Sequence, residues 1–159
     1  MRVAMVIDEQ RLAQEQRLLN RLGVGLMAEG VHLVRIVPEG LPEQALDEGE
    51  RRIALASRIT TPMKALPWTR GAAVRRLLEA LEDAPPDVLY LVGSATWGVG
   101  LDLAAALDRP ALIDVCSPAQ VAAAPKPEAQ PYVAAYVAPC EGIGAQAIAP
   151  GVGIFGMSD

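Results

Sequence analysis

Two spacings of apolar residues alternate along this chain. Arg2 to Ile7 (RVAMVI) is a short, continuous apolar run that stops at Asp8, the pattern of a strand buried on both faces. From about Gln10 to Glu29 the spacing turns helical. Leu12, Leu18, Leu19, Leu22, Leu26 and Met27 fall near one face, and Gly30 stands where a C-terminal cap belongs. VHLVRIV (Val31 to Val37) predicts a second strand, closed by Pro38. Glu39 to Arg52 is acidic and irregular, with room for one helical turn, and Ile53 to Ile59 gives a weak third strand. TTPMKALPWT (Thr60 to Thr69) carries two prolines and reads as a surface excursion. A helix follows over 70–82, with Val74, Leu77, Leu78 and Leu81 on one side and DAPPD at its end.

The second half repeats the alternation. Val88 to Val92 is the clearest strand of the chain, followed by VGSATWGVG and a short helix over 98–107. Ala111 to Val115 is a fifth strand ending at CSP, and 118–131 holds a short helix and a loop. Tyr132 to Ala138 is a sixth strand, CEGIGAQAI a short helix or turn, and the chain closes on APGVGIFGMSD. Strands alternating with helices at this spacing predict βαβ units and a parallel sheet. Right-handed crossovers then put helices on both faces. The fold class is α/β: a three-layer α/β/α domain with a mainly parallel sheet of about six to seven strands. Ligands of such open sheets lie beyond the carboxyl ends of the strands, where strand order reverses. The loops beginning at Asp8, Gly93, Cys116 and Pro139 are therefore the ones placed for function.

Composition narrows the choice of partner. A chain of 159 residues that is 52% hydrophobic and 21% charged supports one globular domain. Aromatics make up only 4%, so the core must come from Ala, Leu, Val and Ile. Acids outnumber bases 19 to 14 for a formal charge of −5, and no basic stripe is visible, which argues against nucleic acid. Arg70, Arg75 and Arg76, and Arg51 and Arg52, read as solvated faces. Two cysteines, Cys116 and Cys140, and a single His fit no metal spacing, so no metal and no cofactor are expected. The apolar N-terminal run is too short for a signal peptide or a membrane span, and a cytoplasmic location is expected.

The glycine-rich stretch VGSATWGVG fails the phosphate-binding motifs. Gly93 and Gly98 have P-loop spacing, but Val99 and Gly100 stand where Lys and Ser/Thr must be. Leu103 stands where a dinucleotide fingerprint starting at these glycines needs Gly or Ala, and the looser match Gly23, Gly25, Ala28 lies deep inside the first helix. That match reads as helix packing. No G-x-S-x-G elbow is present, and His32 lies at the opposite end of its strand. Asp8, Glu9, Asp102, Asp114 and Glu141 are candidate carboxylates without a spacing argument, Asp8 being the best placed. Gly93 allows a sharp turn and Ser94 and Thr96 suit a helix N-cap, so the stretch is either a cap alone or a cap whose N–H groups receive a ligand. Trp97 either stacks on a sugar ring or, the favoured reading, packs its helix against a neighbour.

Three segments carry a family resemblance: RLLNRLGVGLMAEGVHLVRIVPE, PPDVLYLVGSATWGVGLDLAAALDRPALIDVCSP and YVAAYVAPCEGIGAQAIAPGVGIFG. Together the chain resembles the N-terminal domain of GT-B glycosyltransferases of the family 4 (group 1) type. The resemblance implies a Rossmann-like domain over 1–156, the acceptor-side half of an enzyme that moves a sugar from a nucleotide-sugar donor to an acceptor. The donor-binding C-terminal domain is not in this sequence, so the chain alone is expected to be inactive. Carried over by position, the substrate-binding candidates are Asp8, Gln10 and Arg11, Ser94 and Trp97, Ser117 and Gln120, and Glu141. The sequence departs from the family in three places. DEQRLAQEQ replaces the glycine pair after the first strand, and Gly93-Ser94 and Cys116-Ser117 replace the histidines after the fourth and fifth. Those losses favour a second reading, a stand-alone or degenerate flavodoxin-like or Rossmann-like domain that binds or scaffolds without catalysis. Apolar surface left by a missing domain could also support a homodimer.

Overall fold

The computed structural model describes residues 1–41, 45–63, 66–138 and 153–156, the last four by their backbone. Seven strands form one sheet: β1 (Arg2–Ile7), β2 (His32–Pro38), β3 (Ser57–Thr61), β4 (Val88–Val92), β5 (Ala111–Asp114), β6 (Val133–Ala138) and β7 (Gly153–Gly156). Their order is β3-β2-β1-β4-β5-β6-β7, and every pairing is parallel. The helices are α1 (Glu9–Ala28), α2 (Pro67–Leu81), α3 (Trp97–Leu107) and α4 (Pro118–Ala123). The expected α/β three-layer architecture is thus present, with the reversal of strand order between β1 and β4.

Alternation along β1 shows how the layers are built. Ala4 and Val6 join one buried cluster, with Leu77 and Leu81 of α2, Leu103 of α3 and Val121 of α4. Val3, Met5 and Ile7 join the other, with Leu12 and Leu19 of α1. Both faces of β1 are therefore apolar, which is why its sequence is a continuous run rather than an alternating one. Each fully buried Leu or Ile contributes about 1.5–3 kcal/mol, so the sheet is the stable platform on which the loops are mounted. Beyond α1, on its side of the sheet, Tyr90, Leu112 and Val137 with Leu22 and Leu26 line an apolar hollow of about 400 Å3.

Several boundaries differ from the sequence expectation, each for a local reason. The third strand spans Ser57–Thr61, because Arg51–Leu55 forms a 3-10 turn that drops Ile53 into the core beneath α1. A Cβ on Gly23 would lie 2.5 Å from Ile53 Cδ1, so Gly23 is a packing glycine as expected, whereas Gly25 faces open space. Leu18, expected on the apolar face of α1, is 53% exposed. Helix α2 starts at Pro67 rather than near 70, since proline at the first turn forfeits no hydrogen bond. Gly30 closes α1 at φ +81, as its position implied. The CEGIGAQAI segment lies outside the described residues.

Candidate functional site

The carboxyl ends of β1 and β4 meet at Asp8. Its N–H donates to Val92 O at 3.0 Å, which clamps the two strand ends together. The Asp8 backbone stays extended (φ −79, ψ 167) while the chain turns into α1, so the residue is the helix N-cap. Its Oδ1 accepts from Arg11 N at 2.8 Å, and its Oδ2 accepts from Ala95 N at 3.4 Å in the turn leading to α3. One buried carboxylate, 4% exposed, therefore serves two helix starts. The hydroxyls expected to cap the second start do not: Thr96 Oγ1 instead donates to Gly93 O at 2.7 Å. Gly93 takes φ +92, and a Cβ there would overlap the Asp8 carboxylate. The Asp8 carboxylate in this position thus requires glycine at 93.

Helix N-termini at this switch point attract anions, because their first N–H groups are free and the helix dipole is positive there. Here the protein's own carboxylate fills that role. The pocket beside it, about 330 Å3, is lined by Asp8, Glu9, Gln10, Met63, Ser94 and Ala95 among the described residues, with no basic side chain. A smaller hollow of about 210 Å3 continues past Glu9 and Met63 toward Glu39. The described arrangement offers hydroxyl, amide and carboxylate groups to a polar ligand.

A second polar cluster lies at the end of β5, on the α1 side. Arg11 reaches Glu15 at 2.6 Å and Asp114 at 3.1 Å. Glu15 itself interrupts the helical backbone of α1 (φ −129, ψ 23). Asp114, buried at the end of β5, accepts from Tyr90 OH at 3.2 Å and from Cys116 Sγ at 3.2 Å. Burial raises the Asp114 carboxyl above its ordinary value, with the Arg11 guanidinium opposing the rise. Burial would lower Arg11, but Asp114, Cys116 and Glu15 outweigh it and hold the guanidinium above its ordinary value. The Cys116 thiol is pushed up to about 12, first by burial and then by Asp114, so it is neutral and a poor nucleophile near pH 7. Tyr90 is raised too, by burial and by the same carboxylate.

The positions singled out from sequence separate into these two clusters. Asp8, Gln10 and Ser94 share the switch-point pocket. Arg11 turns away from it toward Asp114. Ser117 caps α4, accepting from Gln120 N at 3.2 Å, and Gln120 Oε1 accepts from Cys116 N at 2.6 Å. Trp97 is only 9% exposed and sits in the α2/α3 core, the packing role favoured from sequence, so it offers no face to a ligand. Glu141 lies outside the described residues. Two participants were missed. Tyr90 was read as part of an apolar run, and Glu15 was not singled out within the first helix. Trp68, 77% exposed at the start of α2, belongs to neither cluster. Among the described residues, no group of three or more His, Cys, Asp or Glu could hold a metal ion, and no helix is long and apolar enough to cross a membrane.

No family model matches the sequence and no curated protein matches it. Solved structures do match in shape. A putative UDP-N-acetylglucosamine 2-epimerase from Listeria monocytogenes superposes with TM-score 0.63 at 13% identity over 98% of this chain. The lipopolysaccharide outer core galactosyltransferase WaaB gives 0.62 at 12% over 98%. Anabaena HepE, solved with UDP and glucose, gives 0.60 at 10% over 98%. This chain covers 44% of the length of each. Identity this low speaks for the fold alone, and in fold the chain is a Rossmann-like α/β domain similar to a domain of these proteins.

Proposed function

We propose that the chain is the acceptor-side domain of a glycosyltransferase of the family 4 (group 1) type, which moves a sugar from a nucleotide-sugar donor to an acceptor. The observation that carries this reading is the Asp8 carboxylate on the N-terminus of α1. A donor diphosphate placed there would meet like charge at contact distance, whereas the hydroxyls of an acceptor would find Asp8, Gln10 and Ser94 as hydrogen-bond partners. The similar folds of WaaB, a galactosyltransferase, and HepE, solved with UDP and glucose, support a nucleotide-sugar partner. Donor binding then falls to a second domain, and the chain by itself transfers nothing. Gln10 and Ser94, both exposed at the pocket, orient the acceptor, while Asp8 holds the loop that carries them. Arg11, Ser117 and Gln120 act behind that wall by fixing the turn after β5.

The test compares UDP-, GDP- and ADP-sugar binding by calorimetry for the gene's full product and for residues 1–159. Binding by the full product and none by the shorter chain supports the transferase reading. If neither binds, a scaffold without catalysis takes its place. One observation favours that alternative: the turn after β5 is locked by Arg11, Asp114 and Cys116 rather than left open to a ligand.

A further inference from the structure

At the opposite, amino end of the sheet a second pocket of about 370 Å3 opens between the start of β2 and the 3-10 turn Arg51–Leu55. Among its described lining residues stand Arg2, His32 and Arg52, and no carboxylate. On a chain of net charge −5, a concavity whose described ionisable lining groups are all basic is a local inversion of the overall charge. The register pairs Arg2 with His32 across β1 and β2, which places both side chains on one face of the sheet.

The Arg2 guanidinium carries the argument further. Its Nε is buried and finds no acceptor among the described residues. The nearby carboxylate, Asp87, is engaged instead by the Arg2 main-chain N–H at 2.7 Å. Among the described residues no carboxylate pairs with the guanidinium, so its charge is available to an anion in the pocket. The wall also carries apolar side chains, Met27, Val31 and Leu55 among them, the last 77% exposed, beside the hydroxyl-bearing Ser57. Guanidinium groups match the oxygens of a phosphate through paired N–H donors, and apolar walls take the organic body attached to it. We infer that this pocket binds a small organic phosphate, at a site separate from the Asp8 pocket and independent of the transferase reading.

The chain of 159 residues is titrated with inorganic phosphate and with phenyl phosphate at fixed ionic strength, following backbone amides by NMR. Saturable shifts at Arg2, His32 and Arg52 are expected with both probes, with phenyl phosphate binding at least about threefold more tightly because of the apolar wall. Arg52 is exposed, so Arg52→Ala keeps the fold; it weakens binding about tenfold. Arg2→Gln does the same, and Arg75→Ala, on an exposed face of α2, leaves binding unchanged. The inference is overturned by non-saturating shifts, by equal affinity for the two probes, or by wild-type binding in folded Arg52→Ala.

Discussion

Replacing Gly93 by alanine tests the mutual dependence of the two loops at the switch point. Gly93 stands at φ +92 and ψ 148, beside a region that only glycine occupies without strain. An alanine Cβ there would overlap the Asp8 carboxylate, so the Asp8 side chain must leave both helix starts. Backbone strain costs about 1–3 kcal/mol, and loss of the N-cap adds about 1 kcal/mol. Gly93→Ala is therefore expected to destabilise the fold by about 2–4 kcal/mol, a drop of roughly 1–2 M in urea midpoint. Asp8→Ala alone should cost about 1 kcal/mol through the lost cap. Because Asp8→Ala also removes the overlap, the double variant should be more stable than the sum of the singles predicts, by about 1 kcal/mol. A Gly93→Ala protein within 0.5 kcal/mol of the parent, or strict additivity in this cycle, refutes the reasoning.

Four further outcomes follow from the burial of particular groups. In a Cys140→Ser background, Cys116 should react with iodoacetamide at pH 9 several hundred-fold more slowly than in urea, because a thiol at about 12 is about 0.1% ionised where one at 9.0 is half ionised. The same raised value has a stability consequence: the contribution is intact below 9.0 and is lost as pH climbs toward 12, so Cys116→Ser should flatten the alkaline arm of the melting profile. Tyr90→Phe leaves Asp114 without its buried hydroxyl donor and should cost about 1.5–3 kcal/mol by chemical denaturation, while an unchanged midpoint would place the Tyr90 hydroxyl outside the network. Acrylamide should quench most of the fluorescence from exposed Trp68 and little from Trp97, so Trp68→Phe leaves a blue-shifted, protected emission; ready quenching in that variant would show Trp97 to be exposed.

The elements that could be read from sequence are those whose signal is local. Continuous apolar runs mark β1, β2 and β4 because both their faces are covered, and Gly30 marks the end of α1 because the cap needs positive φ. Ile53 misled the reading of β3, since an apolar residue looks alike in a strand and in a 3-10 turn that plugs the space over Gly23. At the site, Asp8 was legible as a polar residue ending an apolar run, but its second duty was not. The contact with Ala95 exists only because β1 and β4 are neighbours in the sheet. Arg11, Tyr90 and Asp114 are equally nonlocal, joined by topology and by no spacing in the sequence. The missing histidines after the fourth and fifth strands now have a structural counterpart: Gly93 makes room for Asp8, and Cys116 is tied to Asp114.

The account rests most heavily on Asp8 closing the α1 N-terminus to a diphosphate, which is what supports the proposed acceptor-side role of the pocket. Titrating the chain with pyrophosphate while following the Arg11 and Ala95 amides, the two that donate to Asp8, tests this directly. The account predicts no saturable shift at either amide, and saturable shifts at both once Asp8 is replaced by Gly. Saturation of the two amides in the unmodified chain at submillimolar pyrophosphate would contradict it, because the switch point would then be a phosphate site and the acceptor-side assignment would fall.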